Sequence, residues 1–124
     1  MTNIHFTKED IEKCLLAKNI IEKEFRYHLT QDELARRVCL NCNKLKAGFK
    51  QFTGETIYQF TTKLRVEKAK ELLTTTDLPV EVIAARLGLD HSNLIRRFKK
   101  YTGSTPKEWR FNNRNHQNNY TQGL

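Results

Sequence analysis

The sequence has 124 residues and is strongly basic, with 22 Lys and Arg against 14 Asp and Glu, which gives a net charge of +8. It contains no apolar run of about 18 residues, which excludes a predicted membrane-spanning helix. Three cysteines and the opening MTNIHFTKED indicate neither a disulfide framework nor a secretory signal, so we expect a reducing cytoplasm. The positive charge predicts an anionic partner, with nucleic acid and an anionic membrane surface as the first candidates.

The first half of the chain predicts three helices. The first runs from Thr7, its cap, to Phe25, and we expect it to cover the unit that follows. A capping box at Thr30 and Glu33 starts a short second helix. Asn41 then caps a third helix over residues 42–52, and Gly54 ends it. Two short helices joined by a tight turn are the helix-turn-helix pattern.

A helix predicted over residues 56–75 follows, with no Gly or Pro inside it. At 1.5 Å per residue it would be about 30 Å long. Its apolar face changes direction, because Ile57 and Phe60 point to one side whereas Val66 and Leu73 point to another. This pattern is typical of a linking helix between two small cores.

The second half repeats the first. Sliding the chain by 49 residues aligns residues 29–56 with 78–105 without a gap, and ten of the 28 pairs are identical. A short last helix over residues 106–111 and an Asn/Gln-rich flexible tail over 115–124 complete the prediction. The predicted fold is therefore all-α, with two helix-turn-helix subdomains (residues 1–55 and 76–114) joined by a long linking helix (56–75).

The second helix of a helix-turn-helix unit enters the major groove of DNA, and its outward residues meet the bases. Helical spacing places these residues opposite the predicted core: Asn43, Lys46, Ala47 and Lys50, then Ser92, Ile95, Arg96 and Lys99, with Cys42 and His91 in the first turns. Arg96 and Lys46 suit guanine, Asn43 suits adenine, and Ile95 suits a thymine methyl. The predicted phosphate contacts are Lys44, Lys50, Arg97, Lys99 and Lys100. The linking helix would set the two second helices about one DNA turn apart.

Two cysteines at Cys39-x-x-Cys42 suggest a metal or redox site. A zinc site needs two further ligands, and Cys14, His28 and His91 show no ligand spacing, so we predict no metal site. Cys39 is expected in the core at the turn, and Cys42 at a helix N-terminus that could lower its thiol pKa. His91 is either a DNA contact or merely an exposed turn residue. Trp109 is expected to cover the second core.

One segment resembles a known family. Residues 79–110 read PVEVIAARLGLDHSNLIRRFKKYTGSTPKEWR. The I-A pair, the later Gly, F-K-K, T-P and the aromatic–Arg ending resemble the signature of AraC/XylS-type transcription regulators. The first repeat, which reads NCNKLKAGFKQFTGETIY over residues 41–58, resembles the siderophore-responsive branch of the family. The turn after Leu89 is one residue shorter than the family usually has, and Ala47 stands where the family often has a longer polar residue.

The resemblance implies a bacterial regulator that binds double-stranded DNA with two helix-turn-helix units, usually as an activator that contacts RNA polymerase. It implies base-reading residues at Asn43, Lys46, Ala47, His91, Ser92, Asn93, Ile95 and Arg96. Members of the family usually carry a separate effector-binding or dimerisation domain, whereas some are stand-alone. No such domain is expected in this sequence, so the resemblance implies either a stand-alone regulator or the DNA-binding half of a larger one.

Two other function classes compete. A basic interaction module could bind RNA or an acidic protein, but such a partner has no need of the duplicated outward face. An enzyme is the weakest hypothesis, because the sequence has no phosphate-binding Gly loop, no Ser/His/Asp set in a recognisable context and no acid pair. We therefore predict a DNA-binding transcription regulator without cofactor or catalytic residues.

Overall fold

The computed structural model describes residues 5–122, with the side chains of residues 5–114. Within this range every regular element is a helix, which confirms the all-α fold. The helices are α1 (Lys8–Glu24), α2 (Gln31–Arg37), α3 (Cys42–Thr53), α4 (Ile57–Thr75), α5 (Val80–Arg86), α6 (His91–Thr102) and α7 (Pro106–Gln122). The chain forms two compact units, residues 1–62 and 63–124, whose boundary falls inside α4.

In the first unit, α1 packs against α3 around a glycine. Thr7 caps α1, because its Oγ1 accepts a bond from the Asp10 N–H at 3.1 Å and its own N–H donates to the Asp10 carboxylate at 3.0 Å. Gly48 of α3 lies directly beside α1, where a Cβ atom would come within 2.6 Å of the buried Cys14 sulfur. The absence of a side chain at this position therefore allows the two helices to approach closely.

The two helix-turn-helix pairs are built alike. The bounds of α5 and α6 are those of α2 and α3 displaced by 49 residues. In the first turn the Leu40 N–H donates to the Ala35 carbonyl at 2.9 Å, and the corresponding Leu89 N–H donates to Ala84 at 2.9 Å. Gly54 and Gly103 end the second helices at φ 85° and 84°, the left-handed conformation that glycine adopts without strain.

One residue in the first turn differs from the expectation. Cys39 is exposed rather than part of the core, so that prediction is wrong. Its φ of 57° is left-handed, and Gly88, at φ 75°, occupies the same place in the second turn. The turn geometry points the Cys39 side chain away from the core, and the Lys13 ammonium donates to its carbonyl at 3.0 Å.

An aromatic side chain covers each core. Phe60 of α4 meets Phe49 of α3 edge to face, with ring centroids 5.6 Å apart. Trp109 of α7 meets Phe98 of α6 in the same way at 6.0 Å, which confirms its predicted role as a cover. Phe60 and Trp109 are also 49 residues apart, so the repeat extends beyond Thr105 into the helix that follows.

The last helix is longer than the sequence predicts. The backbone of α7 is helical from Pro106 to Gln122, because neither Gly nor Pro interrupts it after its first residue. Its Arg110 donates to the Leu73, Thr76 and Leu78 carbonyls at 3.0, 3.2 and 2.7 Å, which fixes α7 to the end of α4. The predicted flexible tail falls on residues 115–124, whose side chains lie outside the described part of the chain.

Candidate nucleic-acid interface

The first candidate surface is the outward side of α3. Asn41 caps this helix, because its Oδ1 accepts from the Asn43 and Lys44 N–H groups at 2.8 and 3.2 Å. Leu45 and Phe49 are fully buried and fix the helix rotation. The predicted base-reading and phosphate residues of α3 then divide into an exposed group, Asn43, Lys46 and Lys50, and a half-buried group, Cys42, Lys44 and Ala47.

Lys44 is committed to a contact within its own unit. Its Nζ lies 2.7 Å from the carboxylate of Asp10, near the N-terminus of α1. The Lys44 ammonium and the Thr7 N–H together hold the pKa of Asp10 at about 2, below its ordinary value of 3.8. A phosphate that bound Lys44 would compete with this ion pair, whereas Lys50 has an exposed side chain.

The thiol of Cys42 does not have the lowered pKa that its position suggests. Partial burial raises the pKa, and a hydrogen bond with the Asp32 carboxylate raises it further. The nearby Lys46 acts in the opposite direction but does not outweigh these effects. The surroundings of Cys42 therefore raise the pKa of its thiol, in the direction opposite to the one that a helix N-terminus could produce.

The second candidate surface is the outward side of α6. Asp90 caps the helix by accepting from the Asn93 N–H at 2.7 Å. Leu94 and Phe98 are fully buried. The predicted base-reading and phosphate residues again form two groups: His91, Ser92, Arg96, Lys99 and Lys100 are exposed, whereas Asn93, Ile95 and Arg97 are half-buried.

Three side chains at the start of α6, those of Asp90, Asn93 and Arg96, form a connected series of hydrogen bonds. The Asn93 amide nitrogen donates to the Asp90 carboxylate at 2.9 Å, and the Asn93 amide oxygen accepts from the Arg96 guanidinium at 2.5 Å. In the sequence Asp90 and Ser92 are alternative caps for this helix, and the signal for the further role of Asp90 is the i, i+3 spacing of Asp90, Asn93 and Arg96.

The two surfaces correspond position by position. Residues 49 apart occupy the same places on α3 and α6: Cys42 and His91, Asn43 and Ser92, Lys46 and Ile95, Ala47 and Arg96, Lys50 and Lys99. The side chains at these places differ in chemistry, because Lys46 of the first unit corresponds to Ile95 of the second, and Ala47 corresponds to Arg96. Each unit thus presents a similar backbone frame with a different set of side chains.

The described residues hold no group of three or more His, Cys, Asp or Glu side chains arranged to bind a metal ion. None of their helices is both long enough and apolar enough to cross a membrane.

The fold, with its two helix-turn-helix pairs, and the comparisons with known proteins together identify the class of protein: a DNA-binding domain of a transcription regulator. The family model described as a helix-turn-helix domain matches residues 34–112. The chain belongs to the AraC-type family of such domains, as the sequence resemblance implies.

Relatives and solved structures agree with this assignment. The chain is 41% identical over 93 residues to the HTH-type transcriptional regulator YtdP of Bacillus subtilis, a match that covers 74% of this chain and 12% of that protein. It resembles the C-terminal domain of AraT, a response regulator from Geobacillus stearothermophilus, with a TM-score of 0.78, 32% identity, and coverage of 81% of this chain and 84% of that one. The fold is also that of the DNA-binding domain of AdpA, a global transcriptional factor solved with a target DNA, with a TM-score of 0.80, 24% identity, and coverage of 84% and 95%.

The matched relatives are regulators, and the matched region is their DNA-binding domain rather than an enzyme. The chain spans only 12% of YtdP and 30% of the arabinose operon regulatory protein of Salmonella typhimurium.

Proposed function

We propose that this chain binds specific double-stranded DNA sequences, with α3 and α6 in two successive major grooves. The observation that carries the proposal is the duplicated outward surface, in which corresponding positions 49 residues apart are exposed or half-buried on both second helices, and never fully buried. A helix lying in a major groove presents such a surface to base edges. An acidic protein or an RNA would not need the same frame twice.

The proposed contacts come from exposed and half-buried side chains on the outward sides of α3 and α6. Base edges are read by Cys42, Asn43, Lys46, Ala47, His91, Ser92, Ile95 and Arg96, with Asn93 beside them. Phosphates are bound by Lys50, Arg97, Lys99 and Lys100, and by Lys44 if its ion pair with Asp10 opens. Arg96 is the strongest candidate for discrimination between bases, because an exposed guanidinium can donate two parallel bonds to guanine.

The regulatory context rests on the family resemblance. We propose that the chain acts in the bacterial cytoplasm as a transcription activator that contacts RNA polymerase. It does so either as a stand-alone regulator or together with a separate effector-binding or dimerisation domain.

Selection from a random duplex library at stated salt tests the central proposal. We expect two preferred sequence blocks about 10–10.5 base pairs apart. Enrichment of a single block would contradict the two-groove arrangement. Selection without any preferred base, or tighter binding to random RNA than to random duplex, would instead favour an interaction module.

Variants of α6 separate base contacts from phosphate contacts. Arg96→Ala should cost about 1–3 kcal/mol at the selected site and little on random DNA. Lys99→Ala should weaken binding to every sequence and reduce the salt slope by about one unit. Lys23→Ala, at an exposed position on α1, is the matched control and should leave both quantities unchanged. An equal loss for Arg96→Ala on all sequences would make Arg96 a phosphate contact.

A further inference from the structure

We infer that Asn93 is a positioning residue, which holds the Arg96 guanidinium for base recognition and does not itself read adenine. This inference rests on the proposed function, because it concerns how α6 would recognise DNA.

The geometry of the series defines both ends of the Asn93 amide. Its nitrogen donates to the Asp90 carboxylate at 2.9 Å, and its oxygen accepts from an Arg96 terminal nitrogen at 2.5 Å. The reverse orientation would place the amide oxygen against the carboxylate and the amide NH₂ against the guanidinium. Both of those contacts are mismatched, since they pair two acceptors and two donors. Only one orientation of the amide therefore satisfies all three side chains.

This arrangement conflicts with adenine recognition by Asn93. An asparagine recognises adenine by turning its oxygen and its nitrogen together toward the base edge. Here the two ends of the amide face opposite neighbours on the helix, so a turn toward a base would break the bond to Asp90, the bond to Arg96, or both.

Arg96 can still recognise a base within this series, whereas Asn93 cannot. A guanidinium has five N–H donors, and the bond to Asn93 uses one of them. The remaining donors are enough for two parallel bonds to guanine. Because Asn93 holds one edge of the group, Arg96 loses less side-chain freedom when it binds, and this lowers the entropic cost of the contact.

The first unit has no equivalent of this series. Its corresponding residues are Asn41, Lys44 and Ala47, where Lys44 pairs with Asp10 and alanine has no hydrogen-bonding side chain. The positioning device is therefore a property of α6, and we expect the strongest guanine preference in the half of the site that α6 contacts.

A double-mutant cycle on the selected duplex tests this inference. We expect Arg96→Ala to lower affinity about 10- to 100-fold with a guanine at the contacted position, and to remove the preference for that guanine. Asn93→Ala should lower affinity about 3- to 10-fold and weaken the same preference at the same base pair. In the Arg96→Ala background, Asn93→Ala should change affinity by less than about 2-fold, because the group it positions is gone.

Two further variants sharpen the cycle. Asn93→Asp keeps an acceptor for Arg96 but places a second carboxylate against that of Asp90. It should therefore retain more of the guanine preference than Asn93→Ala does, although its added negative charge weakens binding to all DNA. Ser92→Ala, the adjacent exposed position, is the matched control, and its effect should multiply with that of Arg96→Ala. The backbone N–H of Asn93 remains in every variant and still donates to Asp90, so the helix cap is preserved.

The outcomes separate this inference from the proposed function. Independent, multiplicative effects of Asn93→Ala and Arg96→Ala would overturn the positioning role, as would a changed preference at a different base pair in Asn93→Ala. If the unaltered chain selects bases and these results occur, only the positioning role fails. If the unaltered chain selects no bases at all, the proposed function fails first.

Discussion

Replacement of Gly48 by alanine tests the packing that holds α3 against α1. An added Cβ would lie 2.6 Å from the Cys14 sulfur and 2.9 Å from the Phe6 ring, both closer than real Cβ contacts. Cys14 is fully buried, and a close-packed core resists displacement of its side chains. Helix propensity favours the alanine by about 1 kcal/mol, whereas overpacking a core costs about 1–3 kcal/mol. We therefore expect Gly48→Ala to lower the free energy of unfolding by about 1 kcal/mol, and by as much as about 2 kcal/mol.

Urea unfolding followed by circular dichroism measures this effect. Ala47→Gly, at the preceding position of the same helix, is the control for helix propensity. It should lower the free energy of unfolding by about 1 kcal/mol. Adding Cys14→Ala to Gly48→Ala removes the obstructing sulfur, so the double variant should be more stable than the sum of the single effects predicts. If Gly48→Ala were more stable than the unaltered chain by the full propensity gain of about 1 kcal/mol, or if the two substitutions were additive, the close approach of α1 to α3 would be wrong.

Three further predictions concern charge and backbone strain. Lys50→Ala should reduce the salt slope of DNA binding by about one unit, whereas Lys44→Ala should mainly lower the stability of the fold. If both variants reduced the salt slope equally, the ion pair between Lys44 and Asp10 would have to open on DNA. Because folding lowers the Asp10 pKa from 3.8 to about 2, its stabilising contribution is complete above about pH 4 and is lost as the pH falls toward 2. The difference in unfolding free energy between the unaltered chain and Asp10→Asn should shrink over that interval, and a constant difference would refute the assignment. Cys39 and Gly88 both have positive φ, so Cys39→Gly should raise the free energy of unfolding by about 0.5 kcal/mol and Gly88→Ala should lower it by about 1 kcal/mol. Melting temperatures that are lower for Cys39→Gly than for Gly88→Ala would contradict this expectation.

The elements that could be predicted from the sequence depend on local signals. Asn41 and Asp90 cap helices through residues two or three positions away, and Gly54 and Gly103 end them. These interactions lie within one turn of chain, so a pattern of residue types is enough to indicate them. The 49-residue repeat then transfers each boundary from one unit to the other.

The features that escaped prediction depend on partners distant in sequence or on the backbone. Lys44 is paired with Asp10, which precedes it by two helices, and no local pattern indicates that contact. The exposure of Cys39 follows from its positive φ, which its alignment with Gly88 could have signalled. The length of α7 was missed because its polar composition suggests a tail, although no residue after Pro106 breaks the helix.

The repeat also explains why α4 is a single long helix. Thr7, Thr56 and Thr105 lie 49 residues apart, and each accepts a bond from the N–H three residues later, at the starts of α1, α4 and α7. The beginning of α4 therefore corresponds to the beginning of α7, and its Phe60 covers the first core as Trp109 covers the second. In the repeat α4 also corresponds to α1, because each of these helices immediately precedes a helix-turn-helix pair. A helix that ends one repeat and begins the next must supply both sets of buried side chains, and this requirement produces the change of apolar direction along α4.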